Sequence, residues 1–142
     1  MNYSVNEIAK LVEVDYTSPS DQIISHVSVD SRSVQNTSNS VYFALVTNKR
    51  NGHEFIQDII DRGVNTFVIS EDIKVVGDNL SIIRVSNTLE ALQRLAANHR
   101  KKFNIPVIGI TGSYGKTIVK EWLYQLLSPD YTICRSPKSF NS

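Results

Sequence analysis

The chain has a single cysteine, Cys134, so no internal disulfide can staple the fold. It has no surplus of charge: 15 Lys and Arg face 14 Asp and Glu, a net charge of +1. That balance excludes a non-specific nucleic-acid binder, which neutralises phosphates with excess cations, and gives no reason to expect a polybasic membrane patch. Long apolar runs are missing as well. Pieces such as Val107-Ile108 and Val75-Val76 fall far short of the roughly 20 residues that span a bilayer, so no membrane insertion is expected. The opening MNYSVNEIAK lacks the basic-then-apolar order of a secretory signal, and a reducing, cytoplasmic setting is the expectation. What is present is an ordinary globular composition, 142 residues with 41% hydrophobic. A chain of that size buries roughly 68–70% of its unfolded surface, enough for a core without staples.

The local patterns alternate between helix and strand. Ser4 and Glu7 have capping-box spacing, and Ile8, Leu11 and Val12 then share a face, predicting a short helix. His26 to Asp30 alternates, with Val27 and Val29 on the side expected to be buried, and Asp30-Ser31-Arg32 falls at the strand's end. Val41 to Val46 reads as a buried strand, Thr47 to Gly52 as a loop, and His53 to Arg62 as a helix stopping at Gly63. Thr66–Ser70 and Ser81–Val85 predict two further strands. A longer helix is expected from Thr88 to Phe103, capped by Asn87, with Leu89, Leu92, Ala96, His99 and Phe103 inward. Pro106–Thr111 predicts another strand, and Lys116–Leu127 a helix with Val119, Trp122, Leu123 and Leu126 on one face. Strands separated by helices imply an α/β layer architecture. The expected division is a first domain over 1–86, a connecting helix over 87–104, and the opening of a second domain over 105–142, which is below the roughly 40 residues at which a domain usually folds unsupported.

The sharpest motif is Thr111-Gly112-Ser113-Tyr114-Gly115-Lys116-Thr117, between a predicted strand and a predicted helix. Glycines there allow successive N–H groups to face phosphate oxygens at a helix N-terminus. Lys116 would reach the β- and γ-phosphates, and the Thr117 hydroxyl would ligate magnesium, making a nucleoside triphosphate the natural ligand. The full phosphate-loop pattern would have glycine at Ile110, so the spacing is the shorter T-G-x-x-G-K-T. A Gly-rich turn before a helix-start lysine is the alternative. His26, His53 and His99 share no metal-ligand spacing, and His99 reads as a core histidine. Asp30-Ser31-Arg32 is open between a site and a turn.

Three stretches together resemble the Mur ligase family: Val29-Asp30-Ser31-Arg32; Val41 to Leu45 followed by Asn51-Gly52-His53-Glu54-Phe55-Ile56; and Ile108 to Thr117. The resemblance implies a small N-terminal Mur-ligase-type α/β domain, followed by the first strand, phosphate loop and helix of a truncated P-loop ATPase domain. It implies that Ser31, Arg32, Thr47, Asn48 and Lys49 contact the UDP end of a UDP-N-acetylmuramoyl peptide, and that Asn141 belongs to a further substrate segment. ATP would be held by Gly112, Ser113, Tyr114, Gly115, Lys116 and Thr117, with Lys116 catalytic and Thr117 on Mg2+. In the family, ATP phosphorylates a carboxylate and an amine displaces phosphate from the acyl-phosphate. The resemblance favours the member adding D-alanyl-D-alanine to the tripeptide, with the member adding the third residue as the alternative. Tyr114 and residues 135–142 are similar to a Bacteroidetes-type version fused to an alanine racemase, which would bring pyridoxal phosphate. Tyr114, Thr47 and Asn51 depart from the residues common in the family. The C-terminal amino-acid-binding domain and further magnesium ligands would lie past residue 142, so the chain alone is expected to have no ligase turnover. A freestanding phosphate-loop module and a pure interaction domain are the readings from other classes.

Overall fold

The computed structural model describes residues 1–20, 22–34 and 37–136. The chain divides into two compact units, Met1–Phe103 and Asn104–Ser142.

The first unit is built on a parallel sheet of four strands: β3 (His26–Ser28), β4 (Ser40–Phe43), β7 (Thr66–Ile69) and β8 (Ser81–Arg84), side by side in that order. Val41 pairs with Thr66 and Thr66 with Ser81, so the strands stack in register. Successive side chains alternate between the faces, and both faces are covered. Val41, Phe43, Val68 and Ile83 pack with helix α1 (Val5–Leu11) and helix α3 (Thr88–Arg100). Tyr42, Ala44, Phe67 and Ile69 pack instead with helix α2 (Ile56–Asp61). The result is a three-layer α/β/α unit.

Helix α1 starts where the capping box places it. The Ser4 hydroxyl accepts from the Glu7 amide at 3.2 Å and the Glu7 carboxylate accepts from the Ser4 amide at 2.8 Å. A short β1 (Tyr3–Ser4) before the helix pairs antiparallel with β2 (Ile23–Ile24). Helix α2 stops at Gly63, whose φ of 97° leaves the helical region.

Four expectations are corrected. In β3 it is Ser28 that is buried, while Val27 is 38% exposed and Val29, just past the strand, is 44% exposed. Val27 is paired with Val41 but at the sheet's outer edge, where the helices over Val41 no longer reach. The strand after Ser40 ends at Phe43, and Val46 begins a hairpin, β5 (Val46–Thr47) with β6 (Arg50–Asn51), where a loop was expected. Helix α3 ends at Arg100, short of the expected Phe103; it buries Thr88, Ala91 and Leu95, with Leu92 against them, and leaves Leu89 and Ala96 exposed, as is Phe103 beyond its end. The reason is polar: Thr88 donates its hydroxyl to the Ala44 carbonyl at 3.0 Å, which turns the helix by about one position. His99 is partly buried, its Nδ1 2.6 Å from the Tyr3 hydroxyl.

In the second unit, α4 (Lys116–Leu127) forms with the expected bounds. Residues 106–111 form no strand, because among the described residues no neighbour supplies the lateral hydrogen bonds a strand needs. Val107 and Ile108 are exposed, as are Trp122 and Leu126 on α4. Residues 131–136 return along α4: Arg135 pairs with Glu121 and lies 3.9 Å over the Tyr124 ring, and Lys120 donates to the Ser136 carbonyl. No helix among the described residues is long and apolar enough to cross a membrane.

Candidate functional site

Parallel α/β sheets bind ligands outside the carboxyl ends of their strands, where the backbone leaves the sheet. At the carboxyl end of β3 the chain makes a tight turn, residues Ser31–Ser33 in a 3-10 helix capped by Asp30. The Asp30 carboxylate accepts from the Arg32 amide and Nε, both at 3.0 Å, and from Nη2 at 2.6 Å. These bonds to Arg32 hold the Asp30 carboxyl well below the usual carboxylate range. The guanidinium of Arg32 is thus turned onto its own turn, and Asp30-Ser31-Arg32 is at once a capped turn and one wall of a cleft.

The opposite wall is the β5–β6 hairpin beyond the carboxyl end of β4. Its turn is Asn48-Lys49, and Thr47 pairs with Arg50 across it. The Thr47 hydroxyl accepts from the Arg50 and Lys49 amides and donates to the Arg50 carbonyl. Between the walls lies a cleft of about 120 Å3 lined by Val29, Asp30, Ser31, Tyr42, Leu45, Thr47, Arg50, Gly52 and Phe55. Of the five expected uridine-site residues described, Ser31 and Thr47 line this cleft, Arg32 is bound to Asp30, and Asn48 and Lys49 form the exposed hairpin tip. Asn141 lies outside the described residues.

The base of the hairpin is fixed by Asn51-Gly52-His53. A Cβ on Gly52 would stand 2.8 Å from the Leu45 nitrogen and 2.9 Å from the Ala44 backbone, so only glycine lets β6 leave beside β4. The Gly52 amide donates to the Leu45 carbonyl, and Tyr42 donates its hydroxyl to the Gly52 carbonyl. Asn51 accepts on Oδ1 from the His53 amide and ring, and donates Nδ2 to both Glu71 oxygens. The His53 side chain is only 4% exposed.

In the second unit, residues 111–115 lead into α4. Gly115 caps the helix at φ 76°, a left-handed geometry that costs other residues, and Gly112 has φ 143°. Lys116 opens the helix and folds back over the loop, its ammonium donating to the Gly112 carbonyl at 2.6 Å. Thr117 follows in the first turn, while Ser113 and Tyr114 are exposed. Lys116 is therefore tethered to a neutral acceptor that an anionic phosphate would outcompete. Among the described residues no three His, Cys, Asp or Glu side chains gather to hold a metal.

Arg50, Tyr42 and Phe55 were not anticipated. A loop reading of residues 47–52 hides Arg50; read as a hairpin with a two-residue turn, Thr47 and Arg50 become partners that share one side. Among the described residues no carboxylate lies within ion-pair distance of Arg50.

The layered unit and its carboxyl-end cleft define a class, and comparison with known proteins places it. Residues 23–100 match the family described as Mur ligase family, catalytic domain, and the chain belongs to that family. It is 37% identical over 131 residues to the UDP-N-acetylmuramoyl-tripeptide--D-alanyl-D-alanine ligase of Borreliella burgdorferi, covering 86% of this chain and 28% of that protein. It is 32% identical over 109 residues to the UDP-N-acetylmuramoyl-L-alanyl-D-glutamate--2,6-diaminopimelate ligase of Clostridioides difficile, covering 74% and 21%. In structure it is similar to the MurF ligase of Thermotoga maritima crystallised in complex with ADP, with TM-score 0.67, 29% identity, and 82% of this chain against 26% of that one. The chain thus spans about a quarter of the length of these relatives.

Proposed function

We propose that this chain is the substrate-recognition portion, with the opening of the ATP site, of a ligase that adds D-alanyl-D-alanine to UDP-N-acetylmuramoyl tripeptide. Residues 1–86 hold the UDP end, the helix around 87–104 follows, and residues 105–142 begin the ATP-binding domain. The observation carrying this reading is the convergence of Ser31, Thr47 and Arg50 on one cleft at the carboxyl ends of β3 and β4. Its volume, about 120 Å3, suits one pyrimidine ring. Hydroxyl and backbone groups read the uracil edge, and the Arg50 and Lys49 cations meet the diphosphate. Arg32 contributes by neutralising Asp30, which would otherwise repel that diphosphate.

At the other site Gly112, Ser113, Tyr114 and Gly115 form the turn under the ATP phosphates. Lys116 offsets charge on the transferring phosphoryl group; Thr117 would be a ligand for a nucleotide-bound magnesium, which would supply further positive charge there. ATP then activates the substrate's terminal carboxylate as an acyl-phosphate, and the D-alanyl-D-alanine amine displaces phosphate. The 142-residue chain alone does not turn over, since its relatives use a length about three times as great. A ligase adding the third residue is the second reading, supported by the diaminopimelate-adding relative.

The experiment is a calorimetric titration of the chain with UDP-N-acetylmuramoyl tripeptide, with the corresponding dipeptide, and with magnesium ATP. Binding of the UDP compounds supports the reading. Response to ATP alone overturns it in favour of a nucleotide-binding module, and the full-length protein's preference for tripeptide over dipeptide as acceptor separates the two ligases.

A further inference from the structure

We propose that His53, held neutral, is a positioning residue that fastens the base of the β5–β6 hairpin to the carboxyl end of β7 and so sets one wall of the cleft. This rests on the reading of that cleft as the uridine site.

The hydrogen bonds leave one protonation state. Nε2 faces two backbone donors, the Ser70 amide at 3.0 Å and the Glu71 amide at 3.3 Å, so it must be the unprotonated acceptor. Nδ1 stands 2.8 Å from Asn51 Oδ1, an oxygen whose partner nitrogen is spent on Glu71, so Nδ1 carries the hydrogen. One ring thereby ties the end of β6 to the end of β7, over a separation of 17 residues. Asn51 is next to Arg50, and Arg50 pairs with Thr47, so both cleft-lining side chains of the hairpin hang from this joint. The glycine at position 52 lets this strand run close beside the Ala44 and Leu45 backbone, where an added Cβ would stand 2.8 Å from the Leu45 nitrogen.

Protonation of Nε2 would set an N–H against two N–H groups and break the joint. The charged group facing the ring is Glu71, its carboxylate 3.8 Å from Nδ1; β4 contributes the Tyr42 hydroxyl, which is spent on the Gly52 carbonyl. Burial pushes the His53 ring down from the ordinary histidine value and Glu71 pulls it up, with burial the larger effect. The joint is therefore intact at neutral pH and opens only as pH falls below the ordinary histidine value.

The test uses the 142-residue chain, wild type and His53→Gln, with UDP-N-acetylmuramoyl tripeptide as probe. Nitrogen-15 spectra would follow the ring and the amides of residues 46–51 between about pH 8 and about pH 5. The diphosphate diester of the probe does not titrate there. The expected result is the Nδ1–H tautomer at neutral pH, hairpin amides moving with His53 protonation, and about tenfold weaker probe binding across that transition. Glutamine can accept from the Ser70 amide at every pH, so His53→Gln should bind within about threefold of wild type at neutral pH and lose the transition. A protonated Nε2 at neutral pH, or hairpin amides indifferent to the His53 titration, would overturn the proposal. Hairpin amides that follow His53 in a chain that ignores the probe would support the joint while removing the uridine reading of the cleft.

Discussion

Arg32 gives its backbone amide, Nε and Nη2 to the two oxygens of Asp30, so the cation of the strand-end turn is spent inside the turn. A neutraliser and a direct ligand contact predict different double mutants. Arg32→Ala takes the guanidinium away from Asp30 while the residue-32 amide stays on it, so less of the carboxylate's charge is offset at the cleft, and UDP-compound binding should weaken about tenfold. Asp30→Ala with Arg32→Ala should recover most of that loss. Calorimetry on the wild type, Arg32→Ala, Asp30→Ala and the double mutant decides it, and a double mutant as weak as Arg32→Ala would make Arg32 a direct contact. The pH sign agrees: with its pKa depressed, Asp30 contributes to stability above the unfolded carboxylate value near 3.9 and loses that contribution only as pH falls through the lower folded value. This turn should therefore persist at any pH above the unfolded carboxylate value, whether or not the His53 joint has opened.

Gly52→Ala places a methyl group against the Ala44 and Leu45 backbone, which cannot step aside as a flexible side chain could. The expected cost is about 1–3 kcal/mol in urea unfolding, with binding of the UDP compound reduced as the hairpin shifts. Unchanged stability would mean that β4 and β6 are further apart than described.

Thr66 begins β7 fully buried, and its Oγ1 is the buried side-chain atom without a partner among the described residues. Thr66→Val removes that hydroxyl while keeping the shape. A gain of about 1 kcal/mol in unfolding free energy is expected, and a loss would show that the hydroxyl has a partner such as a buried water.

Local rules made much of this molecule legible. The Ser4–Glu7 box, the Asn87 cap, the stop at Gly63 and the apolar run into Phe43 each rest on contacts within a few residues, and they placed α1, α3, α2 and β4. Where a distant partner decides, the sequence was mute. Thr88 turns α3 through a carbonyl 44 residues away, which no hydrophobic pattern encodes. Val27 alternates correctly but sits at an edge, and residues 106–111 have strand composition without a pairing neighbour among the described residues. In the cleft, Ser31 and Thr47 came from resemblance; Arg50 was hidden by reading a hairpin as a loop, because Asn48-Lys49 lacks the usual hairpin-turn glycine. His53 looked like a histidine without metal-ligand spacing, since its partners Ser70 and Glu71 lie across the sheet.

Trp122 is the chain's single tryptophan and is 63% exposed on the apolar face of α4. Its emission in the 142-residue chain should resemble that of indole in water and be readily quenched by acrylamide. In the full-length protein, where more of the ATP-binding domain can cover this face, the emission should shift to the blue and resist quenching. Protected emission in the short chain would contradict the exposed α4 face.

In the proposed function, the cleft between Asp30-Ser31 and the Thr47–Arg50 hairpin receives the UDP end of the substrate. The most direct measurement is a titration of the chain with UDP-N-acetylmuramoyl tripeptide followed by amide shifts, on wild type and Arg50→Ala. The account predicts saturable shifts at Ser31, Thr47 and Arg50, and about tenfold weaker binding in Arg50→Ala, with uridine alone affected far less because it lacks the diphosphate. Shifts confined to residues 111–117, or an Arg50→Ala chain that binds the compound as tightly as wild type, would contradict it.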